Sequence, residues 1–204
     1  MKTLFIPAKA KAEVNEEKIK ALKLPDNIAI AYSIQYKEIA EKIRKILSDR
    51  YKIIELVRVL GCSKIRFSKE TRAILLISSG EFHAISLAHE TKLPIYILYT
   101  DVFRKVSEEE IDAFEKRKKT SYLKFLNSEK VGILISLKPG QENLKKAIDI
   151  KNNLKDKKSY LFLSNEIDVG QFENFSEIGS WINTACPRLD MDSSVINSSD
   201  LEKK

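Results

Sequence analysis

Short β-branched apolar runs alternate along this chain with longer stretches whose apolar residues recur at helical spacing. Strands covered on both faces read as unbroken apolar runs, and parallel neighbours need a long crossover, so this alternation marks βαβ units. The expected fold is α/β: two Rossmann-like domains, each with a small parallel sheet flanked by helices. A chain of 204 residues has room for two domains of about 100 residues each.

The first domain is expected over residues 1–105 and the second over 106–204. In the first, Thr3 to Pro7 and Asn27 to Ser33 read as strands, followed by Ile39, Ile43, Ile46 and Leu47 at helical spacing. Tyr51 to Leu56 reads as the next strand, and Val59-Leu60-Gly61-Cys62 as a strand end or turn that delivers a thiol. Ala73 to Ser78 reads as a buried strand, Ser79-Gly80 as the turn into a helix carrying Phe82, Ile85, Leu87 and Ala88, and Pro94 to Tyr99 as the next strand. Ser107, followed by Glu108, Glu109 and Glu110, has the pattern of an N-cap with an acidic first turn and opens a long linking helix over about 107–127. The format then repeats: strand Val131 to Leu137, helix Gln141 to Leu154, strand Ser159 to Leu163, a short irregular helix, strand Trp181 to Ala185, and a polar tail over 191–204.

The charge balance, 36 Lys and Arg against 29 Asp and Glu for a net +7, is spread along the sequence with both signs interleaved. That describes a solvated, ion-paired surface of the kind heat-loving organisms favour. A nucleic-acid reader would need a clustered basic face with stacking aromatics, so direct nucleic-acid binding is not expected. No apolar run approaches the ~20 residues that cross a bilayer, and the N-terminus lacks signal-peptide order, so no membrane association and a cytoplasmic location are expected. In that setting the glycosylation pattern Asn197-Ser198-Ser199 has no meaning.

Only two cysteines occur, Cys62 and Cys186, with no second pair to make a disulfide framework. In a reducing cytosol they are free thiols or metal ligands. Each follows a strand, and carboxyl ends of parallel strands are where α/β sheets place ligands. Buried, inert thiols remain the alternative for both.

The surroundings of the cysteines carry a family resemblance. Ala185-Cys186-Pro187-Arg188 and Val59-Leu60-Gly61-Cys62 are similar to two cysteine motifs of the archaeal diphthamide-synthesis radical enzymes, the 2-(3-amino-3-carboxypropyl)histidine synthases. Leu4-Phe5-Ile6-Pro7-Ala8, Ser79-Gly80-Glu81-Phe82-His83 and Ile135-Ser136-Leu137-Lys138-Pro139-Gly140-Gln141 resemble further segments of the same family, in the same order. The resemblance covers nearly all of residues 3 to 192 and matches the family's middle and last domains.

The resemblance implies a 4Fe–4S cluster held by one cysteine from each of three domains, with Cys62 and Cys186 as two of the ligands. It further implies cleavage of S-adenosylmethionine and transfer of its 3-amino-3-carboxypropyl group to a histidine of translation elongation factor two. The family's first domain, with the third cysteine, has no match in residues 1–204, so a separately encoded first-domain polypeptide is the expected partner. Two alternatives stay open: a non-catalytic or scaffold subunit beside another that holds the cluster, or a chain that has lost catalysis. Dimerisation is also left open.

For S-adenosylmethionine, Pro139-Gly140-Gln141 reads as a loop opening a helix, where Gly140 and Gln141 offer backbone N–H groups and an amide; a plain strand-to-helix turn is the alternative. Ser164 and Asn165, at the end of the next strand, are a second candidate pair, against a capping role. His83 matches a family residue but also suits a structural histidine, and His89 is given no role. Arg188 is read either as a substrate contact or as the partner of a carboxylate such as Asp190. Lys116-Arg117-Lys118-Lys119 is read as the solvated face of the long helix, or as a docking surface for the elongation factor or its bound nucleic acid.

Overall fold

The computed structural model describes residues 4, 6, 8–11, 14–60, 65–100, 102–192 and 195–201. The chain divides into two compact units, Met1–Asp112 and Ala113–Lys204.

The first unit opens with a short helix, α1 (Glu16–Lys20), and the central strand β1 (Asn27–Tyr32). There follow α2 (Lys37–Leu47), β2 (Lys52–Arg58), β3 (Ala73–Ile77), α3 (Glu81–Thr91), β4 (Ile95–Tyr99) and β5 (Val102–Lys105). The sheet order is β2-β1-β3-β4-β5. β1 and β3 are apolar on both faces because helices and further chain cover both, and every residue of β3 is buried. α2 turns Ala40, Ile43 and Leu47 onto the sheet at helical spacing.

The four strands β2, β1, β3 and β4 are parallel, whereas β5 runs antiparallel to β4, pairing Tyr96 with Lys105 and Tyr99 with Val102. This sheet is therefore mixed and not purely parallel as expected. Thr100, at φ 51°, lies in the tight connection that reverses the chain. The strand read over Thr3 to Pro7 falls largely outside the described residues; Leu4 and Ile6 are exposed and in no strand.

The second unit contains most of α4 (Glu108–Asn127), then β6 (Lys130–Ser136), α5 (Leu144–Asn153), β7 (Lys158–Ser164), a 3₁₀ stretch (Val169–Phe175), β8 (Ser180–Asn183), α6 (Leu189–Asp192), β9 (Ile196–Asn197) and α7 (Ser198–Leu201). The start of α4 is a reciprocal cap: the Glu110 N–H donates to Ser107 Oγ at 3.2 Å, and the Ser107 N–H donates to Glu110 Oε2 at 2.8 Å. The sheet, β7-β6-β8-β9, is parallel throughout.

Alternate residues of β6 feed two cores. Val131, Ile133 and Ile135 pack with Phe125, Ala147, Ile182 and Ile196, while Leu134 packs on the other face with Trp181 and Val195. Gly132 sits opposite Trp181 in the β6–β8 register, and a Cβ there would lie 2.3 Å from the indole ring. Only glycine permits so close a ring.

Two features differ from the sequence expectation. The helix expected from Gln141 begins at Leu144, because Gly140 adopts φ 80° and the Gln141 N–H closes a turn onto the Lys138 carbonyl. The expected polar tail is instead structured in part: Val195 and Ile196 are buried, β9 joins the sheet edge and α7 follows it. Among the described residues no helix is long and apolar enough to cross a membrane.

Candidate functional site

In each unit the chain reverses its winding direction at the centre of the sheet, the place where α/β sheets characteristically open a crevice at the carboxyl ends of the two central strands. In the second unit those strands are β6 and β8, and the crevice is a cleft of about 180 Å³. Ser136, Lys138, Gln141, Glu166, Cys186 and Arg188 line it.

Cys186 is a free, half-buried thiol on the loop after β8. That loop is fastened on several sides. Thr184 donates through both its N–H, at 3.2 Å, and its Oγ1, at 2.7 Å, to the Leu134 carbonyl of β6. The Ala185 N–H donates to Asn183 Oδ1 at 2.9 Å, and the Cys186 carbonyl accepts from Asn183 Nδ2 at 2.8 Å. A turn whose carbonyls point into the protein needs such donors, since burying them unpaired costs about 1–3 kcal/mol each.

Of the residues singled out from the sequence, Gln141, Cys186 and Arg188 come together in this cleft. Gly140 supplies the left-handed turn that brings Gln141 there, and its backbone lies in that turn instead of at a helix N-terminus. Ser164 is engaged locally: its Oγ donates to the Glu166 carbonyl and accepts from the Glu166 N–H at 3.1 Å. Asn165 is exposed and does not line the cleft, whereas its neighbour Glu166 does, paired with Lys138 at 3.2 Å. Glu166 carried no motif by which sequence reasoning could have found it.

Arg188 is exposed at the cleft, and the carboxylate proposed for it is taken elsewhere. Asp190 accepts from Asn197 Nδ2 at 2.7 Å and lies 3.7 Å from the Lys118 ammonium. Lys118 in turn pairs with Asp200 at 2.7 Å, so at least this member of the basic run is turned into the protein and not onto a solvated face. Burial pushes the Asp190 carboxyl up to about 6, against the opposing pull of Lys118. Its Oδ1 is buried with no hydrogen-bond partner.

In the first unit, Cys62 lies outside the described residues. The chain leading to it leaves β2 with the Val59 N–H donating to the Tyr32 carbonyl at 2.9 Å, at the carboxyl end of β1. His83 sits in the first turn of α3, its ring 5.4 Å from that of Phe82, and His89 near the helix end. Arg104 bridges Glu81 at 2.8 Å and Glu110 at 2.9 Å. Among the described residues no three His, Cys, Asp or Glu side chains converge as a metal-binding group.

The diphthamide synthesis protein family matches residues 1–198 of this chain. A 2-(3-amino-3-carboxypropyl)histidine synthase of Methanocaldococcus jannaschii is 31% identical over 212 residues, covering 96% of this chain and 58% of the relative. The crystal structure of Dph2 from Pyrococcus horikoshii superposes with a TM-score of 0.78 at 23% identity, covering 95% of this chain and 62% of that one. The same protein with a 4Fe–4S cluster superposes with a TM-score of 0.73, covering 88% and 57%. This chain thus spans about three fifths of the length of the relatives it matches. It has their α/β fold, and it belongs to the family of diphthamide synthesis proteins.

Proposed function

We propose that this chain is part of a diphthamide-synthesis transferase and contributes Cys62 and Cys186 to a 4Fe–4S site, the third thiolate coming from a further domain or a partner polypeptide. When bound, the cluster supplies the electron that cleaves S-adenosylmethionine, and the 3-amino-3-carboxypropyl group goes to a histidine of elongation factor two.

The observation that carries this reading is that Cys186 and Gln141 line one cleft at the carboxyl edge of the second sheet. Cys186 fits as a ligand: it is a free thiolate source at the mouth of a crevice, on a loop tied to two strands. Beside it the Gln141 amide and the Lys138 and Arg188 cations suit the amine and carboxylate of an amino acid moiety, with Gly140 setting the turn. Glu166 pairs with Lys138, and Ser164 holds the Glu166 backbone, so Ser164 acts by shaping the cleft wall, while Asn165 is exposed outside it.

The test is iron and sulfide content with the visible spectrum after anaerobic reconstitution, for the chain alone and with a first-domain polypeptide of the family. A 4Fe–4S spectrum that requires both Cys62 and Cys186 is expected. Iron loading that survives Cys186→Ala would sink the assignment.

A further inference from the structure

Backbone turns alone already give the carbonyls around Cys186 one partner each: the Leu189 N–H donates to the Cys186 carbonyl and the Asp190 N–H to the Pro187 carbonyl, both at 3.2 Å. Each carbonyl also accepts a second hydrogen bond, from a buried asparagine. Asn183, at the end of β8, gives one amide hydrogen to the Cys186 carbonyl at 2.8 Å and the other to Asn197 Oδ1 at 2.7 Å. Asn197, on β9, gives one to the Pro187 carbonyl at 3.1 Å and the other to Asp190 Oδ2 at 2.7 Å.

Asn183 and Asn197 are 1% and 5% exposed, so water does not compete for these bonds. With Asn183 Oδ1 accepting from the Ala185 N–H, both side chains have donors and acceptor in use. Asp190 terminates the chain of bonds, beside Lys118, which Asp200 of α7 holds. The two asparagine side chains are fully satisfied in this arrangement, and moving either would strand buried polar groups, which favours one backbone arrangement; within this network Asp190 Oδ1 alone is left without a hydrogen-bond partner. The lock therefore joins three separate pieces: β8, the cysteine loop, and the segment 195–201 that follows it.

We propose that Asn183, Asn197 and Asp190 are positioning residues that preset the Cys186 loop for ligation, with residues 195–201 as the strap that closes the lock. The inference rests on Cys186 being a cluster ligand, as proposed above. A ligand held in place before binding loses less freedom on capturing its metal, and groups that orient a ligand without touching the metal are a general feature of metal sites.

The experiment uses the full chain carrying Cys62→Ala, in which Cys186 is the sole thiol, and follows its alkylation by iodoacetamide well below each variant's Tm. Asn197→Ala and Asp190→Ala are expected to label Cys186 roughly three-fold faster or more, while Asp190→Asn, which keeps an oxygen for the Asn197 amide, stays within about two-fold of the parent. Asp190→Ala carries the test should Asn197→Ala fail to fold. Unchanged rates in the alanine variants overturn the lock, as does an equal acceleration in Asp190→Asn. Labelling is measured without a cluster, so failure here is distinct from failure of ligation, which shows instead as iron retained in Cys186→Ala.

Discussion

The Nδ2 of Asn143 donates to the carbonyl oxygen of Thr184 across 3.0 Å. This bond ties the residue before α5 to the loop that carries Cys186, so the two sides of the cleft, Gln141 and Cys186, share one fastening.

Asn143→Ala removes this donor from a partly buried carbonyl without leaving a cap unfilled, since the Asn143 side chain makes no capping bond to α5. A loss of about 1 kcal/mol is expected in urea denaturation. Iron loading should fall further than stability does, because both sides of the cleft loosen together. A variant with wild-type loading and wild-type stability would show the tie to be idle.

Asp190 gives a pH dependence of definite sign. Its carboxyl is raised from 3.8 to about 6 by burial, with Asp200 reinforcing and Lys118 and Arg117 opposing. Its contribution to stability is fully present below about pH 3.8 and is lost as pH rises through about 6, because the ionised form is the one that burial penalises. Asp190→Asn, uncharged throughout, should therefore be more stable than the parent above pH 6, by on the order of 2 kcal/mol, with the gap closing toward pH 4. Thermal unfolding of both proteins from pH 4 to 8 checks it, and a gap that grows on acidification would reverse the assignment.

Gly132→Ala forces a methyl to within 2.3 Å of the Trp181 ring. Stacked on Phe172, with ring centroids 4.3 Å apart, and edged by Phe162 at 4.7 Å, that ring has little room to retreat. We expect a loss of about 2 kcal/mol or more, read by the fluorescence of the chain's single tryptophan. Trp181→Leu should then accept the added methyl at a much smaller further cost, giving a coupling energy of opposite sign in the double-mutant cycle.

How legible all this was from the residues depended on the range over which each signal acts. β1, β3 and β6 announce themselves as apolar runs because both their faces are covered, which is a local consequence of a parallel sheet. β5 does not, since Val102–Lys105 is four residues long with two charges, and only its antiparallel pairing with β4 makes it a strand. The start of α5 was misplaced because Gln141 and Glu142 are acceptable helix formers, while the left-handed Gly140 just before them closes a turn.

The site divides in the same way. Cys186 and Gln141 stand in motifs that can be read along the chain. Asn197 was visible only as a glycosylation pattern, and Lys118 only as one charge in a run of four. What gives them meaning is the pairing of β9 with β8, and a two-residue strand has no periodicity to read.

That late pairing has a consequence in time. A nascent chain that has just exposed Cys186 still lacks Asn197, eleven residues further on, and Lys118 still lacks Asp200. The thiol is thus on offer before its loop is rigid, and the loop is fixed only when residues 195–201 have cleared the ribosome and β9 docks. Under the ligation proposed above, ordering of the Cys186 loop is in this way made to wait for residues synthesised after it, so the loop takes its final geometry only once β9 has paired with β8.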